Sequence, residues 1–390
     1  MKNELTLVAK TLSGLEGVLA NELKALGAAD AKPYNRVVAF TGDRRLLYKA
    51  NLCCRTVIRI LMRIRKFNVS DERHLYDEIR EVDWSQYLDA RGTLAIDPVV
   101  TNSTFKHSLF VAQKAKDAIA DQFRECAGAR PSVDLEDPDL RLNLHINQNI
   151  ASLYLDSSGD SLHKRGYRTE ANIAPINELL AAGIIQLSGW DRTSPFMDGM
   201  CGSGTFLIEA ALLAQNIAPG VFRKQFGFER WKDYAPALYR EVFEEAERRE
   251  VRTLPFEIVG SDKDSQTVQF ALQNVRNAGL EKTVRIECKA FEEQTPPQGP
   301  GVLVMNPPYG ERIEVEKIHA LYRMIGDTLR KKYAGYTAYI LSGNLDAAGS
   351  IGLRPSRQIA LFNGPIECRL LEYKLRRQHR PGKVECPQDG

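Results

Sequence analysis

Apolar and polar residues follow two textures along this 390-residue chain. The first part mixes short alternating runs with amphipathic segments. Residues 5–10 (LTLVAK) predict a strand, and Leu15, Val18, Leu19, Leu23 and Leu26 fall at helical spacing up to a stop at Gly27. A strand is expected over RVVAFTGD and a helix from Arg44 to Cys53. In VIRILMRIRKF, apolar residues interleave with Arg59, Arg63 and Arg65, which predicts a strand with one wet, positive face. A helix near Asp71 to Glu81, a strand TLAIDPVV and a helix from Thr104 to Cys126 follow, the last burying Leu109, Val111, Ala112, Ala115, Ala118, Ile119 and Phe123. Two more strands, LRLNLHINQ and IASLYLDSS, complete an α+β region of two expected subdomains. Gly159 to Gly166 reads as the linker.

From Pro175 onward, longer helices alternate with short apolar strands. INELLAAGIIQL predicts a helix with Pro175 near its first position, where a missing N–H costs nothing. SPFMD, FEIVGSD and GVLVMN read as buried strands ending in polar or acidic residues, with helices at about 204–218, 236–249 and 265–278 between them. This βαβ rhythm predicts a doubly wound α/β sheet with ligand chemistry at the carboxyl ends of its strands.

Composition narrows the class. No apolar run approaches the roughly 18 residues that span a membrane, and the acid-bearing N-terminus is not a signal peptide. Seven scattered cysteines with no CxxC pair argue against a zinc ribbon or a disulfide framework and for a reducing cytoplasm. The net charge of +3 says little, but Arg36 to Lys66 holds nine bases and one acid, and Arg369 to Lys383 six bases and one acid. Segregated positive charge suggests a polyanion contact; a solvated face is the plain alternative.

Three motifs carry chemistry. Asp198-Gly199-Met200-Cys201-Gly202-Ser203-Gly204-Thr205 joins a strand to a helix, and its glycines let the backbone approach a ligand closely. It has no lysine for a Walker loop, and its leading acid would repel a pyrophosphate but suits a cationic ligand. The pattern resembles the S-adenosylmethionine loop of class I methyltransferases. Asp262, closing the next strand, can accept from vicinal ribose hydroxyls, while Asp264 suits a helix N-cap. Asn306-Pro307-Pro308-Tyr309 follows GVLVM. Its rigid turn offers the Asn306 side-chain carbonyl and the Pro307 main-chain carbonyl to an exocyclic amine, with Tyr309 as a stacking face. It resembles the catalytic motif of amino-group methyltransferases acting on planar nitrogen. Aligned displacement at a sulfonium needs no metal, and Cys201 has no evident role as a nucleophile.

LHKRGYR at 162–168, APINE at 174–178, MDGMCGSGTFLIEAA and MNPPYGER together resemble the THUMP-domain guanine-N2-methyltransferases of bacterial large-subunit (23S) ribosomal RNA, with likeness over nearly the whole chain. The resemblance implies a ferredoxin-like part at 1–44, an RNA-gripping THUMP domain at 45–156 and a Rossmann-like methyltransferase domain at 157–390. It implies that Asp198, Gly199, Cys201, Gly202, Gly204 and Thr205 line S-adenosylmethionine, that Asp262 holds its ribose, and that Arg165, Tyr167 and Pro175 to Glu178 flank its methionine end. Asn306, Pro307, Pro308 and Tyr309 would present the guanine amine, and Arg59, Arg63, Arg65, Lys106 and Lys114 would contact RNA. Where the family places an adenine-contacting acid, this chain has Ala290, with Glu292 and Glu293 downstream. A second methyltransferase domain, present in long family members, is expected to be absent. The alternatives are a tRNA guanine methyltransferase, a DNA adenine methyltransferase and a non-catalytic RNA-binding assembly factor.

Overall fold

The computed structural model describes residues 4–105, 107–168, 175–310 and 314–376. Its first elements are β1 (Leu5–Lys10), α1 (Glu16–Ala25), β2 (Lys32–Tyr34), β3 (Val37–Gly42), α2 (Arg44–Cys53), β4 (Arg59–Asn68), α3 (Glu72–Arg80), β5 (Thr93–Thr101), α4 (Ser108–Ala127), β6 (Ser132–Val133), β7 (Leu140–Asn147) and β8 (Ile150–Asp156). The eight strands form one sheet in the order β2-β3-β1-β4-β8-β7-β5-β6. The two expected subdomains are thus fused, because β4 pairs antiparallel with β1 on one side and with β8 on the other.

β4 also departs from simple alternation. Ile60, Leu61 and Met62 are buried in succession, and the pairing with β8 shifts register between Arg63 and Arg65. The expected continuous wet face is therefore absent. Arg59 reaches Asp156 at 2.5 Å and Arg65 reaches Glu78 at 2.7 Å, leaving Arg63 exposed. In α4, Leu109 is 70% exposed rather than buried, because it lies in the first turn, ahead of the face carried by Val111, Ala115, Ala118 and Phe123.

The later elements are α5 (Glu178–Leu187), β9 (Phe196–Asp198), α6 (Thr205–Ala214), α7 (Pro236–Glu247), β10 (Ile258–Asp262), α8 (Ser265–Asn277), β11 (Val284–Cys288), β12 (Val302–Met305), α9 (Val315–Lys332), β13 (Thr337–Ser342), α10 (Leu345–Gly349), β14 (Arg357–Asn363) and β15 (Ile366–Lys374). The second sheet runs β11-β10-β9-β12-β13-β15-β14; its first five strands are parallel, and β15 is antiparallel to both β13 and β14. Pro175 is not at the first position of α5. The helix starts three residues later, and the Asn177 side-chain oxygen accepts from the Leu179 and Leu180 N–H groups at 2.9 and 3.4 Å, as an N-cap does.

The chain divides into two compact units. One comprises residues 1–169, 177–183 and 212–252; the other comprises 170–176, 184–211 and 253–390. Residues 177–183 and 212–252, inside the span 157–390, thus pack with the first unit. Residues 212–252 join the first unit because Phe226, Phe228, Trp231 and Val242 complete its apolar core, with Tyr48 of α2 centred 4.4 Å from Phe228. Nor is the segment after β8 a loose linker: the Arg223 guanidinium donates to the carbonyls of Ser158, Asp160, Ser161 and Lys164. Among the described residues no helix is long and apolar enough to cross a membrane.

The Arg59–Asp156 pair makes a stability prediction. The Asp156 side chain has no exposed surface, so Arg59→Ala leaves a buried carboxyl without its cation and should lower the unfolding free energy by about 3 kcal/mol. Burial already holds this carboxyl above its ordinary range. The variant's folded state therefore keeps a proton that the unfolded chain releases, and its deficit grows as pH rises. Arg63→Ala should change stability by no more than about 0.5 kcal/mol. Urea unfolding of both variants at pH 5 and pH 8 checks these expectations.

Candidate active site

In the second unit the strand order reverses at β9: successive strands run outward through β10 and β11, and β12 returns to β9's other side. Such a reversal opens a crevice at the carboxyl ends of the strands. Asp198 ends β9, Asp262 ends β10 and Asn306 directly follows β12.

Asp198 is buried and accepts from the Met200 N–H at 3.1 Å. Loss of water, with a smaller like-charge contribution from Asp262, pushes its carboxyl up to about 8, the Met200 N–H opposing the shift. The loop after it is held by its own backbone. The Cys201 N–H donates to Ser261 O at 2.9 Å, and the Gly202 N–H donates to Asp262 Oδ2 at 3.1 Å. Gly202 and Gly204 have φ of 52° and 80°, and a Cβ on Gly202 would meet nothing within 4 Å, so there is open space beside that turn. At Gly199, by contrast, a Cβ would lie 2.3 Å from Phe291 Cδ2.

This arrangement fits a ligand with a cationic end and a diol. Asp198 supplies a buried carboxyl that a nearby cation would deprotonate. Asp262 spends one interaction per oxygen, on the Gly202 and Asp264 N–H groups, which leaves acceptor capacity on a half-exposed side chain. Asp264 caps α8 through the Gln266 and Thr267 N–H groups, as its position suggested. Cys201 is buried and its thiol is pushed well up by desolvation, which suits a wall of the loop and not a nucleophile. Thr205 begins α6 and is buried. Glu292 and Glu293 are both exposed.

At the third strand end, Pro307 is buried and Pro308 exposed. Tyr309 is half-buried. Its hydroxyl turns back and donates to Asn306 Oδ1 at 2.5 Å, so one lone pair of the expected amine acceptor is already used. Burial raises the phenol well above its ordinary range. Asn344 Nδ2 donates to Tyr309 O at 3.1 Å, and the Tyr322 hydroxyl donates to Pro308 O at 3.4 Å. Asn344 and Tyr322, with Asn363, whose Nδ2 donates to the Tyr309 hydroxyl at 3.4 Å, thus support the turn without having been singled out in the sequence. Asn344 had a local signal, a Gly-Asn pair between β13 and α10, and Asn363 another, an Asn-Gly pair between β14 and β15.

Apart from Pro175 and Ile176, the remaining candidates lie in the first unit or outside the described residues. Arg165 and Tyr167 are buried; Arg165 donates to Leu162 O at 2.7 Å and to Arg55 O at 2.5 Å, while Tyr167 meets Phe222 edge-on. Both side chains therefore have structural partners in this unit. Glu178 is also buried, and its carboxylate pairs with Arg168 at 3.4 Å. Pro175 is half-buried. The basic run from Arg36 to Lys66 is largely neutralised by pairing: Arg44 with Asp233, Arg45 with Glu241 and Glu245, Lys49 with Glu245, Arg59 with Asp156 and Arg65 with Glu78. Arg36, Arg63 and Lys66 stay exposed. Lys114 is half-buried with its ammonium 5.8 Å from the Phe110 ring centre. Lys106, and the basic C-terminal stretch beyond residue 376, lie outside the described residues. Among the described residues no group of three His, Cys, Asp or Glu could hold a metal ion.

The buried acid makes a pH prediction. Folded Asp198 holds its proton up to about pH 8, whereas the unfolded chain loses it near the ordinary carboxyl value. Its ionisation therefore opposes folding increasingly as pH rises through that window. Asp198→Asn should be stabilised relative to the parent protein by a margin that widens from pH 5 to pH 8. Melting temperatures across that range test it; a constant difference would contradict the assigned burial effect.

Three family models match the chain: an RlmL ferredoxin-like domain over residues 6–61, a THUMP domain over 69–156 and an RMKL-like methyltransferase domain over 165–372. The ribosomal RNA large subunit methyltransferase K/L of Methylococcus capsulatus is 44% identical over 97% of this chain and 52% of its own length. The chain spans about half the length of the K/L proteins it matches. The protein slr0064 of Synechocystis, named as a candidate RNA methyltransferase, is 41% identical over 94% of this chain and 96% of its own. The crystal structure of SMU.472 complexed with SAH superposes with a TM-score of 0.88 at 31% identity, covering 97% of this chain and all of that one. The buried acid and glycine loop at one strand end, with the Asn-Pro-Pro-Tyr turn at its neighbour, sit within the matched region, and the chain belongs to the RMKL-like methyltransferase family, with ferredoxin-like and THUMP domains ahead of its methyltransferase domain.

Proposed function

We propose that this chain transfers a methyl group from S-adenosylmethionine to the exocyclic N2 amine of a guanine in large-subunit ribosomal RNA. One observation carries the reading: Asn306, with an acceptor lone pair to spare, follows the strand beside the one that ends in buried Asp198. The K/L relatives, named for large-subunit ribosomal RNA, favour that substrate over tRNA or DNA.

The cofactor supplies an electrophilic methyl group on a sulfonium. Asp198 and the 199–205 loop would hold its cationic end, and Asp262 its ribose. Asn306 Oδ1 has two lone pairs, one taken by the Tyr309 hydroxyl. The other, with the Pro307 carbonyl, can receive both N–H bonds of the guanine amine and orient the nitrogen lone pair. Pro307 and Pro308 stiffen the turn, so little freedom is lost when the amine docks. Alignment of this kind is worth on the order of 7–11 kcal/mol in favourable cases.

Mass spectrometry of ribosomal and transfer RNA from cells with and without the gene tests the substrate: one N2-methylguanosine of large-subunit RNA should disappear, and a loss confined to tRNA would overturn the assignment. Asn306→Ala should cut turnover about a hundredfold while leaving cofactor affinity near normal. Cofactor affinity should rise with pH and level off above about 8, because binding a cation beside Asp198 requires loss of its proton. Calorimetric titration from pH 6 to pH 9 should show this slope, and Asp198→Asn should flatten it.

A further inference from the structure

We infer that Asn363 is a positioning residue for the amine-receiving turn, acting through the Tyr309 phenol; this rests on the reading of Asn306 above. Asn363 ends β14 at the hairpin with β15, 54 residues beyond Tyr309. Its Nδ2 donates to the Tyr309 hydroxyl at 3.4 Å, and that hydroxyl donates to Asn306 Oδ1 at 2.5 Å. The Cys368 thiol, on β15, donates to Ile366 O at 3.6 Å.

A phenol has one proton to give. Asn306 Oδ1 takes it, and how firmly the hydroxyl points there depends on what occupies the oxygen's acceptor side. The Asn363 N–H fills that side and polarises the hydroxyl toward the Asn306 carbonyl. The fixed phenol in turn sets the Asn306 amide plane, so that the second lone pair of Oδ1 points at one place. The ring cannot easily retreat. A Cβ on Gly343 would lie 2.9 Å from Tyr309 Cδ2 and 2.8 Å from Ile366 Cγ2, so Tyr309 and the hairpin share the space that a side chain there would fill. Asn344 fixes the Tyr309 main chain at the same point. The β14–β15 hairpin thereby becomes part of the acceptor geometry without touching the substrate.

Steady-state RNA methylation by Asn363→Ala, Tyr309→Phe and their double variant tests this on the full chain. Asn363→Ala should lower kcat about fivefold with KM for RNA and Kd for the cofactor unchanged. The same substitution should have no further effect in the Tyr309→Phe background, because the pathway to Asn306 is already cut. Asn363→Asp, which matches the amide in size, should lose at least as much, since its carboxylate takes the phenol proton away from Asn306; it carries the test if Asn363→Ala fails to fold. Unchanged kcat in both Asn363 variants, or losses that multiply with Tyr309→Phe, would overturn the inference. Asn306→Ala separates the levels: if it is fully active, the acceptor reading itself falls. If it is inactive while the Asn363 variants match the parent, only the role of Asn363 falls.

Discussion

A carboxyl group stripped of water at the end of β9 is the constraint around which the methyltransferase unit is arranged. Burial makes the charged form of Asp198 unfavourable in the protein alone, so the site is biased toward a partner that brings positive charge. The loop that would receive such a partner is already folded: two of its N–H groups are spent on Ser261 and Asp262, and its turns lie in backbone regions natural to glycine. A site organised this way loses little entropy on binding. The strand order does the rest. Because β12 returns to the flank of β9, a rigid pair of carbonyls follows next to the buried acid.

The first unit obeys a different economy of charge. Its basic run looks like a polyanion surface when written as a line, yet five of its nine bases close ion pairs, with α3, α7, Asp233 or the end of β8. Exposed pairs of this kind contribute little each, but Arg59 with Asp156 is indispensable to its surroundings because one partner is wholly buried. Arg36, Arg63 and Lys66 remain exposed along that run. Arg223 shows the same inward use of a cation, gathering four carbonyls of the segment that follows β8.

What could be read in the chain was whatever is encoded within a few residues. The helix at Arg44–Cys53, the Asp264 cap and the position of Asn-Pro-Pro-Tyr after a buried strand all follow from local spacing and backbone chemistry. What escaped depends on contacts distant in sequence. Arg59 meets Asp156 97 residues away, and the Tyr309 hydroxyl meets Asn363 of a hairpin 54 residues downstream. The resemblance placed Arg165 by its motif alone, and no local pattern foretold that its guanidinium would donate to two main-chain carbonyls, one of them 110 residues away. Leu109 has the right residue type for a core and the wrong place, two residues before the buried stripe begins at Val111.

The central claim, that a carbonyl turn beside a sulfonium pocket selects a nucleobase amine, is tested most directly by following the methyl group itself. Purified protein would be given S-adenosylmethionine labelled at the methyl carbon and unmodified large-subunit ribosomal RNA, and the RNA digested to nucleosides and separated. The account predicts label in a single species that co-migrates with N2-methylguanosine. Label on a ring carbon, a ribose hydroxyl or the amine of adenine, or an RNA pool with no label at all, would contradict it.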